Sequence, residues 1–454
     1  MNYFNGLTIK IIRKMSIVIE SKDISPELED KIIKEVFVKK IEGSSFSFKF
    51  SKPKEKIIQP LRLSTDKSKA YIPFDWSLKH IPDTKRPTRE QFTEINVKFN
   101  TTLREGQKQV KDECIAKINK TGSVILSIYP GFGKTCLSIY LASKIKLKTL
   151  IICHRIILIE QWIKAVERFI DNPKIGFVKP SLSAKKMEQV KNNDFLIVNA
   201  QNVNKLGEDF FKDVGLIIID EIHCILAESL SECLGYLSPR YMIGLSATPY
   251  RSDGLDKLLD FYFGEENKIV RELHHPHIVY KIDTGIEYEE DSKEWSAMIS
   301  SQCLHEKRNN LIVKIVLHFK ERHFLILCKR VDQAKYIFSK LEEEKESVSM
   351  IVEDNNEFDL NSRIIVASTQ KCGIGFSHDI LDALILGSDI EEYFIQYLAR
   401  VMRTEEVKPV VFDLIDNNKS LKRHFTERKK VYQKAGGVIY NFNKEFPQLM
   451  KCLI

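Results

Sequence analysis

Two short clusters of residues in the first half of the chain have the composition of a phosphate site. The first, Gly131-Phe-Gly-Lys-Thr135, follows the apolar run Val124–Ile128 and precedes a helical pattern. Its glycines allow backbone N–H groups to close around phosphate oxygens, the Lys134 ammonium can reach the terminal phosphates, and the Thr135 hydroxyl can bind Mg²⁺. We therefore expect a nucleotide to contact Gly131, Phe132, Gly133, Lys134 and Thr135.

The second cluster is Asp220-Glu221, which follows the apolar run Leu216–Ile219. In open α/β sheets, nucleotide chemistry takes place at the carboxyl ends of the strands. There the Asp220 carboxylate would hold Mg²⁺, and the Glu221 carboxylate would polarise the attacking water. Together, the two clusters predict hydrolysis of a nucleoside triphosphate.

Two neighbouring segments supply further candidates for the same site. Upstream of the phosphate cluster, Gln107 can read an adenine edge while Arg104 contacts phosphate or base. Downstream, the hydroxyls of Ser246 and Thr248 close the next apolar run and can hydrogen-bond the acidic cluster. Each segment also fits an ordinary role, as a polar helix start or a strand-to-turn junction, so its meaning depends on its place beside the two clusters.

A third set of candidates lies in the second half of the chain. Gln396, Arg400 and Arg403 are spaced at i, i+4 and i+7, which would place all three on one face of a helix. Two guanidinium groups on such a face can act as arginine fingers on a γ-phosphate. The alternative is a solvent-facing basic stripe, which is the weaker explanation once the same chain carries a phosphate site.

The bulk composition is that of a multidomain globular chain. Its 454 residues are 43% apolar and 29% charged, and no apolar run approaches the roughly 20 residues that a membrane helix needs. The first residues lack the long apolar core and the cleavage site of a secretory signal. The nine cysteines are an odd number without CxxC spacing. This pattern argues against disulfides or a structural metal and favours an intracellular reducing compartment.

Apolar runs alternate with helical patterns in two separate stretches, which predicts parallel sheets covered by helices on both faces. In the first stretch the runs are Val124–Ile128, Thr149–Cys153, Phe195–Asn199, Leu216–Ile219 and Tyr241–Leu245. In the second stretch they are Phe324–Cys328, Ile364–Ala367, Ala383–Leu386 and Val410–Leu414. The predicted fold class is therefore α/β, with two tandem parallel-sheet domains.

The segments around these domains are predicted to be smaller modules. A small N-terminal α+β module would include the β-like runs Ser16–Ile19 and Phe46–Phe50. The predicted order is an accessory module (1–95), a first α/β domain (96–275), a connector (276–300), a second α/β domain (301–416) and a basic C-terminal tail (417–454). That tail carries nine Lys or Arg residues against two acids. Such a run is usually a solvated helix face, and it favours a polyanion partner only in combination with the other motifs.

In their order along the chain, these segments resemble the motifs of superfamily 2 helicases of the DExH type, in the group that includes XPB-like and type III restriction-like translocases. The resemblance extends from about Leu103 to Gly437. The segments Phe412–Asp416 and Phe425–Gly437 also resemble the end of helicases from large cytoplasmic DNA viruses, such as the poxvirus transcript-release helicase and its asfarvirus and iridovirus relatives. This likeness implies two RecA-like domains that use ATP and Mg²⁺.

The resemblance also implies roles for individual residues. Catalysis would depend on Lys134, Glu221, Gln396, Arg400 and Arg403, and the nucleotide site would include Gly375. Coupling of the nucleotide to strand movement would depend on His223, Ser246 and Thr248. Contacts with nucleic acid would come from His154, Arg155, Gln201, Arg330 and Thr369.

The function that the resemblance implies is that of an ATP-dependent helicase or translocase. DNA is favoured as the track, with 3′-to-5′ movement in viral transcription or replication, at a cytoplasmic replication site or in the virion. The transcription machinery is a candidate partner. Two alternatives remain open, an RNA-directed remodeller and an ATP-gated nucleic-acid clamp without processive unwinding.

Overall fold

The computed structural model describes residues 14–41, 55–58, 60, 62–63, 69–207, 209–225, 234, 236–247, 256–288, 295–352, 359, 361–372, 378–391, 394–403 and 407–453. The chain divides into two compact units. The first comprises Met1–Ile128 and Phe132–Arg271, and the second comprises Tyr129–Gly131 and Glu272–Ile454. Within the described ranges, no helix is long and apolar enough to cross a membrane.

The N-terminal segment packs into the first unit, whereas the sequence predicted a separate module for residues 1–95. Its described elements are β1 (Lys14–Glu20), α1 (Pro26–Glu35), β2 (Val38–Ile41), β3 (Glu55–Ile58), β4 (Arg62–Leu63), β5 (Lys69–Pro73) and α2 (Phe74–His80). Strand β1 pairs with β5 and, in parallel, with Tyr236–Leu237. Phe74 lies in the same buried cluster as Ile125 and Ile217, so this segment shares a core with the first sheet. The predicted run Phe46–Phe50 lies outside the described residues.

The first unit is built on a fully parallel sheet. Its elements are α3 (Glu105–Thr121), β6 (Ser123–Ile128), α4 (Lys134–Ile145), β7 (Thr149–Cys153), α5 (Ile156–Phe169), β8 (Ile175–Val178), α6 (Ala184–Lys191), β9 (Phe195–Asn199), α7 (Ala200–Leu206), β10 (Leu216–Ile219), α8 (Ile222–Ile225), β11 (Tyr236–Leu237), β12 (Tyr241–Ser246), α9 (Asp256–Phe263) and β13 (Lys268–Arg271). The described strands of the sheet follow the order β13-β6-β12-β10-β7-β9-β8, and every pair is parallel. All five predicted apolar runs are confirmed as strands of this sheet.

The second unit is built on another fully parallel sheet. Its elements are β14 (His277–Glu287), α10 (Trp295–Leu304), α11 (Glu306–His318), β15 (Phe324–Cys328), α12 (Val331–Glu343), β16 (Val348–Ile351), β17 (Ile364–Ser368), α13 (Thr369–Cys372), β18 (Ala383–Leu386), α14 (Phe394–Leu398), β19 (Val410–Asn417), α15 (Lys419–Lys434), β20 (Gly437–Asn441), α16 (Phe442–Glu445) and α17 (Pro447–Met450). The described strands follow the order β16-β17-β15-β18-β19-β14-β20. Strand β14 lies between β19 and β20, so the predicted connector at 276–300 is wrong: much of it is a strand of the sheet.

The predicted basic tail is likewise part of the second unit. Strand β20 pairs in parallel with β14, and helix α15 buries Leu421 and Tyr432 against the sheet. The helix is amphipathic, because all its cations except Arg428 are exposed while its apolar side chains recur every three or four residues on the opposite face. Truncation after Asp416 would therefore remove core side chains as well as charge. Substitution of exposed cations is the change that tests the charge.

A buried ion-pair cluster attaches α15 to the ends of β18 and β19. The Arg428 guanidinium donates through Nε and Nη2 to both carboxylate oxygens of Asp413, at 2.9 and 2.8 Å, and through Nη1 to Asp389 at 2.8 Å. The Tyr432 hydroxyl donates to Asp413 at 2.8 Å, and His424 Nδ1 lies 2.7 Å from Asp389. Burial by itself raises the pKa of Asp389, but the His424 hydrogen bond and the Arg428 charge outweigh it and lower that pKa below its usual value. The cluster thus depends on Arg428 for charge balance.

Candidate functional site

The topology of the first sheet brings the predicted phosphate-site clusters together. Strand β12 lies between β6 and β10, with which it pairs in parallel. The phosphate loop follows β6, Ser246 ends β12 and Asp220 follows β10. Because the carboxyl ends of parallel strands meet at one edge of the sheet, segments that are far apart in sequence become neighbours there.

The phosphate loop has the backbone that its glycines permit. Gly131 and Gly133 have φ values of +85° and +95°, in the region that favours glycine. A side chain at Gly133 would also collide with the Gln107 amide. Gly133 caps helix α4, and the Lys134 ammonium, on the first residue of that helix, donates to the Ile128 carbonyl at 2.6 Å. The loop therefore places Lys134 at a helix N-terminus, where an anion is favoured.

Arg104 and Gln107 support this loop from the start of helix α3. The Arg104 guanidinium and the Gln107 amide both donate to the Phe132 carbonyl, at 2.7 and 2.9 Å. Gln107 Oε1 accepts from the Arg104 backbone N–H at 2.9 Å, and the Gln107 side chain is buried. Here both side chains hold the backbone of the loop. Their contact with the adenine or phosphate of a nucleotide stays a prediction.

The acidic pair lies in an environment that disfavours two negative charges. Burial and repulsion from Glu221 raise the pKa of Asp220 to about 6, and a hydrogen bond from Trp162 and the charge of Lys134 only partly oppose this rise. The backbone N–H of Glu221 donates to Asp220 Oδ1 at 3.1 Å. Glu221 also has a φ of +46°, a strained conformation for a non-glycine residue. Two adjacent carboxylates offer hard oxygen ligands of the kind that Mg²⁺ prefers.

His223 connects the acidic cluster to the next strand. Its Nδ1 lies 3.0 Å from the Ser246 hydroxyl and 3.4 Å from Glu221 Oε2. The structure thus brings together two of the three residues predicted to couple the nucleotide to movement, and the coupling itself stays a prediction. Thr248, the third of them, lies outside the described residues.

The sequence interpretation missed one residue of this site. Trp162 lies in helix α5, and its side chain is only 2% exposed. Its indole N–H, however, donates to Asp220 Oδ2 at 2.8 Å. A buried indole N–H usually donates to an acceptor. A tryptophan on the apolar face of a predicted helix, in a chain with two carboxylates at a strand end, is therefore the signal that could have revealed the contact.

The predicted nucleic-acid residues of the first unit lie along the same edge of the sheet, beyond the acidic cluster. Arg155 follows β7 and is exposed, and Gln201 follows β9, where its backbone N–H donates to Asn199 at 3.0 Å. His154 lies between the acidic cluster and these predicted nucleic-acid residues. Burial, together with the charges of Arg155 and His223, lowers its pKa to about 4, so its imidazole is neutral at pH 7 and adds no positive charge.

In the second unit, the predicted helical face is wrong. Helix α14 ends at Leu398, and the Arg400 backbone N–H closes a tighter turn onto Tyr397 at 3.0 Å. Val401, in the segment that follows, is fully buried, so the chain turns inward instead of continuing the helix. Gln396 is on the helix and largely buried, whereas Arg400 and Arg403 follow it. Arg403 pairs with Asp379 at 2.7 Å.

The remaining predicted contacts of the second unit follow adjacent strands. Arg330 follows β15 and Thr369 follows β17, and these strands pair in parallel. The Tyr397 hydroxyl donates to the Thr369 carbonyl at 2.8 Å, and the Arg330 guanidinium donates to helix α10. Gly375 lies outside the described residues.

Similarity to known proteins agrees with this arrangement of motifs. Residues 100–251 match the family described as type III restriction enzyme, res subunit. The "Putative helicase 161L" of Invertebrate iridescent virus 6 is 38% identical over 455 residues, covering 94% of this chain and 100% of that protein. The chain belongs to the superfamily 2 helicases. The "Putative helicase 055L" of Frog virus 3 (isolate Goorha) is 28% identical over 381 residues, covering 82% of this helicase and 86% of that protein.

A solved structure shows the same fold. The ATP-dependent Type ISP restriction-modification enzyme LlaBIII bound to DNA matches with a TM-score of 0.53 and 15% identity, covering 86% of this helicase and 34% of that chain. The predicted fold class, two tandem RecA-like α/β domains, is confirmed. As a member of its family, the helicase is a nucleic-acid-dependent ATP hydrolase.

The indole of Trp162 gives a test of the acidic cluster. Trp162→Phe keeps the apolar ring but removes the donor to Asp220. Because partners that orient a metal-binding carboxylate typically affect affinity or activity about 10- to 100-fold, we expect the Mg²⁺ concentration for half-maximal ATP hydrolysis to rise by about tenfold. Titration of steady-state hydrolysis with Mg²⁺ measures this change.

Trp76→Phe is the matched control for that substitution. Trp76 is 4% exposed and donates to the Glu35 carboxylate at 3.2 Å, away from the phosphate loop. Equal Mg²⁺ requirements for the two variants would show that the Trp162 indole has no role in the metal site.

Proposed function

We propose that this helicase moves 3′ to 5′ along DNA, using hydrolysis of ATP with Mg²⁺. The observation that carries coupling of hydrolysis to nucleic acid is the order of strands in the first sheet, and the family resemblance favours DNA and 3′-to-5′ movement. The nucleotide residues follow β6, β12 and β10, and the candidate strand contacts follow β7 and β9, so one sheet edge carries both sets.

The residues around the phosphate loop fit ATP and Mg²⁺. In the proposal, Lys134 binds the terminal phosphates, Thr135 and Asp220 hold the metal, and Glu221 orients the water. Bound Mg²⁺ would supply charge neutralisation for the phosphoryl group and for the two carboxylates. From the family resemblance, we also propose that Arg400 and Arg403 contribute positive charge to phosphate stabilisation and that Gln396 contributes a hydrogen bond.

The charge of α15 supports a polyanion as partner. The exposed cations of this helix are Lys419, Lys422, Arg423, Lys429, Lys430 and Lys434. Its acid, Glu427, pairs with Lys430 at 2.8 Å, and Lys434 pairs with Glu272 at 2.7 Å. Because backbone phosphates are uniform along a nucleic acid, such a surface can add binding without sequence preference.

The biological setting is proposed from the relatives. Both viral proteins named above are described as helicases, from an invertebrate iridescent virus and from Frog virus 3. We infer a role in viral transcription or replication, with the transcription machinery as a candidate partner and a cytoplasmic replication site or the virion as the location. An RNA-directed remodeller is the alternative in the same setting.

Steady-state ATP hydrolysis without polymer, and with single-stranded DNA, duplex DNA or RNA, tests the proposed function. We expect single-stranded DNA to give the largest stimulation, because a translocase hydrolyses ATP as it moves along its track. Strand displacement on duplexes with a 3′ or a 5′ tail then tests polarity, and only the 3′-tailed duplex is expected to separate.

Two other results would change the assignment. Stimulation by RNA alone would make the protein an RNA-directed remodeller. Hydrolysis with ATP-dependent DNA binding, but without strand separation, would make it a clamp.

A further inference from the structure

One tryptophan differs from the other two in its exposure. The chain contains three tryptophans, of which Trp76 and Trp162 are 4% and 2% exposed. The third, Trp295, is 39% exposed at the first residue of helix α10. Exposure of part of a large aromatic ring forgoes the free energy of its burial, so the position calls for an explanation.

The exposed indole is held in place on one side. Its ring lies 5.4 Å from the His424 ring, at an interplanar angle of 80°. The imidazole is itself fixed, because Nδ1 lies 2.7 Å from Asp389 and Nε2 lies 3.3 Å from Glu391. Arg428 also pairs with Asp389, which neutralises the buried carboxylate of this group. A rigid, partly exposed aromatic ring loses little conformational freedom when another ring stacks on it.

An oriented guanidinium contacts the residue that follows Trp295 in helix α10. The Arg330 guanidinium donates to the carbonyl and the hydroxyl of Ser296, at 3.2 and 2.9 Å, and to the Ser300 hydroxyl at 3.1 Å. Ser296 directly follows Trp295. Across the described part of the chain, the acceptors of Arg330 are neutral oxygens, so its positive charge is positioned without being neutralised.

The two groups lie where the second sheet can meet a strand of nucleic acid. Arg330 follows β15, and Thr369 follows the paired strand β17, which places both at the carboxyl edge of the sheet. We propose that Trp295 and Arg330 form a binding site for one nucleotide of single-stranded nucleic acid, with the base stacked on the indole and the phosphate on the guanidinium. This inference rests on the proposed function. Base stacking on aromatic rings beside basic groups is the general way in which proteins hold single strands without sequence preference.

The indole provides its own readout. Because the other two tryptophans are buried, the change in tryptophan fluorescence upon addition of oligothymidylate should come mainly from Trp295. We expect this quenching in the full-length protein and its loss in Trp295→Phe. Trp295→Ala should raise the dissociation constant for oligothymidylate about 5- to 150-fold, as stacking of one base typically contributes.

The salt dependence of binding separates stacking from charge. Trp295→Ala should leave the slope of log affinity against log salt unchanged, whereas Arg330→Ala should reduce it by about 0.7. Tyr440→Ala is the matched control, since Tyr440 is an aromatic residue of similar exposure, 42%, on strand β20. It should bind oligothymidylate as the wild type does.

Four outcomes overturn the inference. Wild-type affinity in Trp295→Ala, or quenching that persists in Trp295→Phe, would show that no base stacks on this indole. An equal loss of affinity in Tyr440→Ala would show that the effect is not specific to Trp295. A wild-type protein that binds no nucleic acid would overturn the proposed function as well, which distinguishes the two failures.

Discussion

Lys134→Ala is expected to lower polymer-stimulated ATP hydrolysis about 10²- to 10³-fold. The Lys134 ammonium is placed by helix α4 and the two left-handed glycines of the loop, at the point where phosphate charge must be stabilised. Removal of one such preorganised donor typically costs this much in rate. The measurement is steady-state ATP hydrolysis with saturating single-stranded DNA and Mg²⁺.

Lys144→Ala is the control for that substitution. Lys144 lies in the last turn of the same helix, is exposed and is remote from the loop in sequence. The Lys144→Ala substitution removes the same side chain and the same charge as Lys134→Ala. The rate of ATP hydrolysis by this control variant should therefore equal that of the wild type. Hydrolysis by Lys134→Ala at a rate close to that of Lys144→Ala would place the phosphate chemistry elsewhere in the chain.

Arg428→Ala is expected to lower the free energy of unfolding of the second unit by about 3–5 kcal/mol. The substitution leaves the carboxylates of Asp389 and Asp413 buried without their guanidinium partner. Removal of one member of a buried ion pair typically costs this much, because the remaining charge is uncompensated. Trp295, the tryptophan in the second unit, reports unfolding of that unit by its fluorescence during a urea titration.

Lys429→Ala provides the comparison for the ion-pair cluster. Lys429 is the next residue of helix α15 and is exposed, so its removal should change the urea midpoint little. If both variants unfold at the same urea concentration, the cluster contributes no net stability and α15 is held by its apolar contacts alone.

The central strands of both sheets could be predicted from the sequence. Strands such as β6, β7 and β10 are buried along their whole length. A strand that helices cover on both faces must be apolar at every position, so it appears as a continuous apolar run. The strands that the sequence interpretation missed include β8, β13, β16 and β20, which lie at the edges of the two sheets. Their residues are partly exposed, so the pairing of neighbouring strands, and not a local apolar run, decides that they are strands.

The same contrast separates the residues of the phosphate site. Lys134, Asp220 and Glu221 could be proposed from the sequence, because each follows an apolar run and the chemistry proposed for them depends on residue type and local order. The indole donor of Trp162 and the loop support from Gln107 depend on contacts between segments far apart in sequence, so only the tertiary structure revealed them.

The sequence by itself determined the family and the α/β class and named the candidate phosphate-site residues, since these depend on residue types in a fixed order. The tertiary structure decided three other features. Helix α14 ends before Arg400, residues 417–454 complete the second unit, and Trp295 stays exposed. These features depend on which apolar side chains find a buried position in the folded chain. The side chains of Val401 and Tyr432 are buried, whereas that of Trp295 is partly exposed. No local spacing in the sequence specifies that difference.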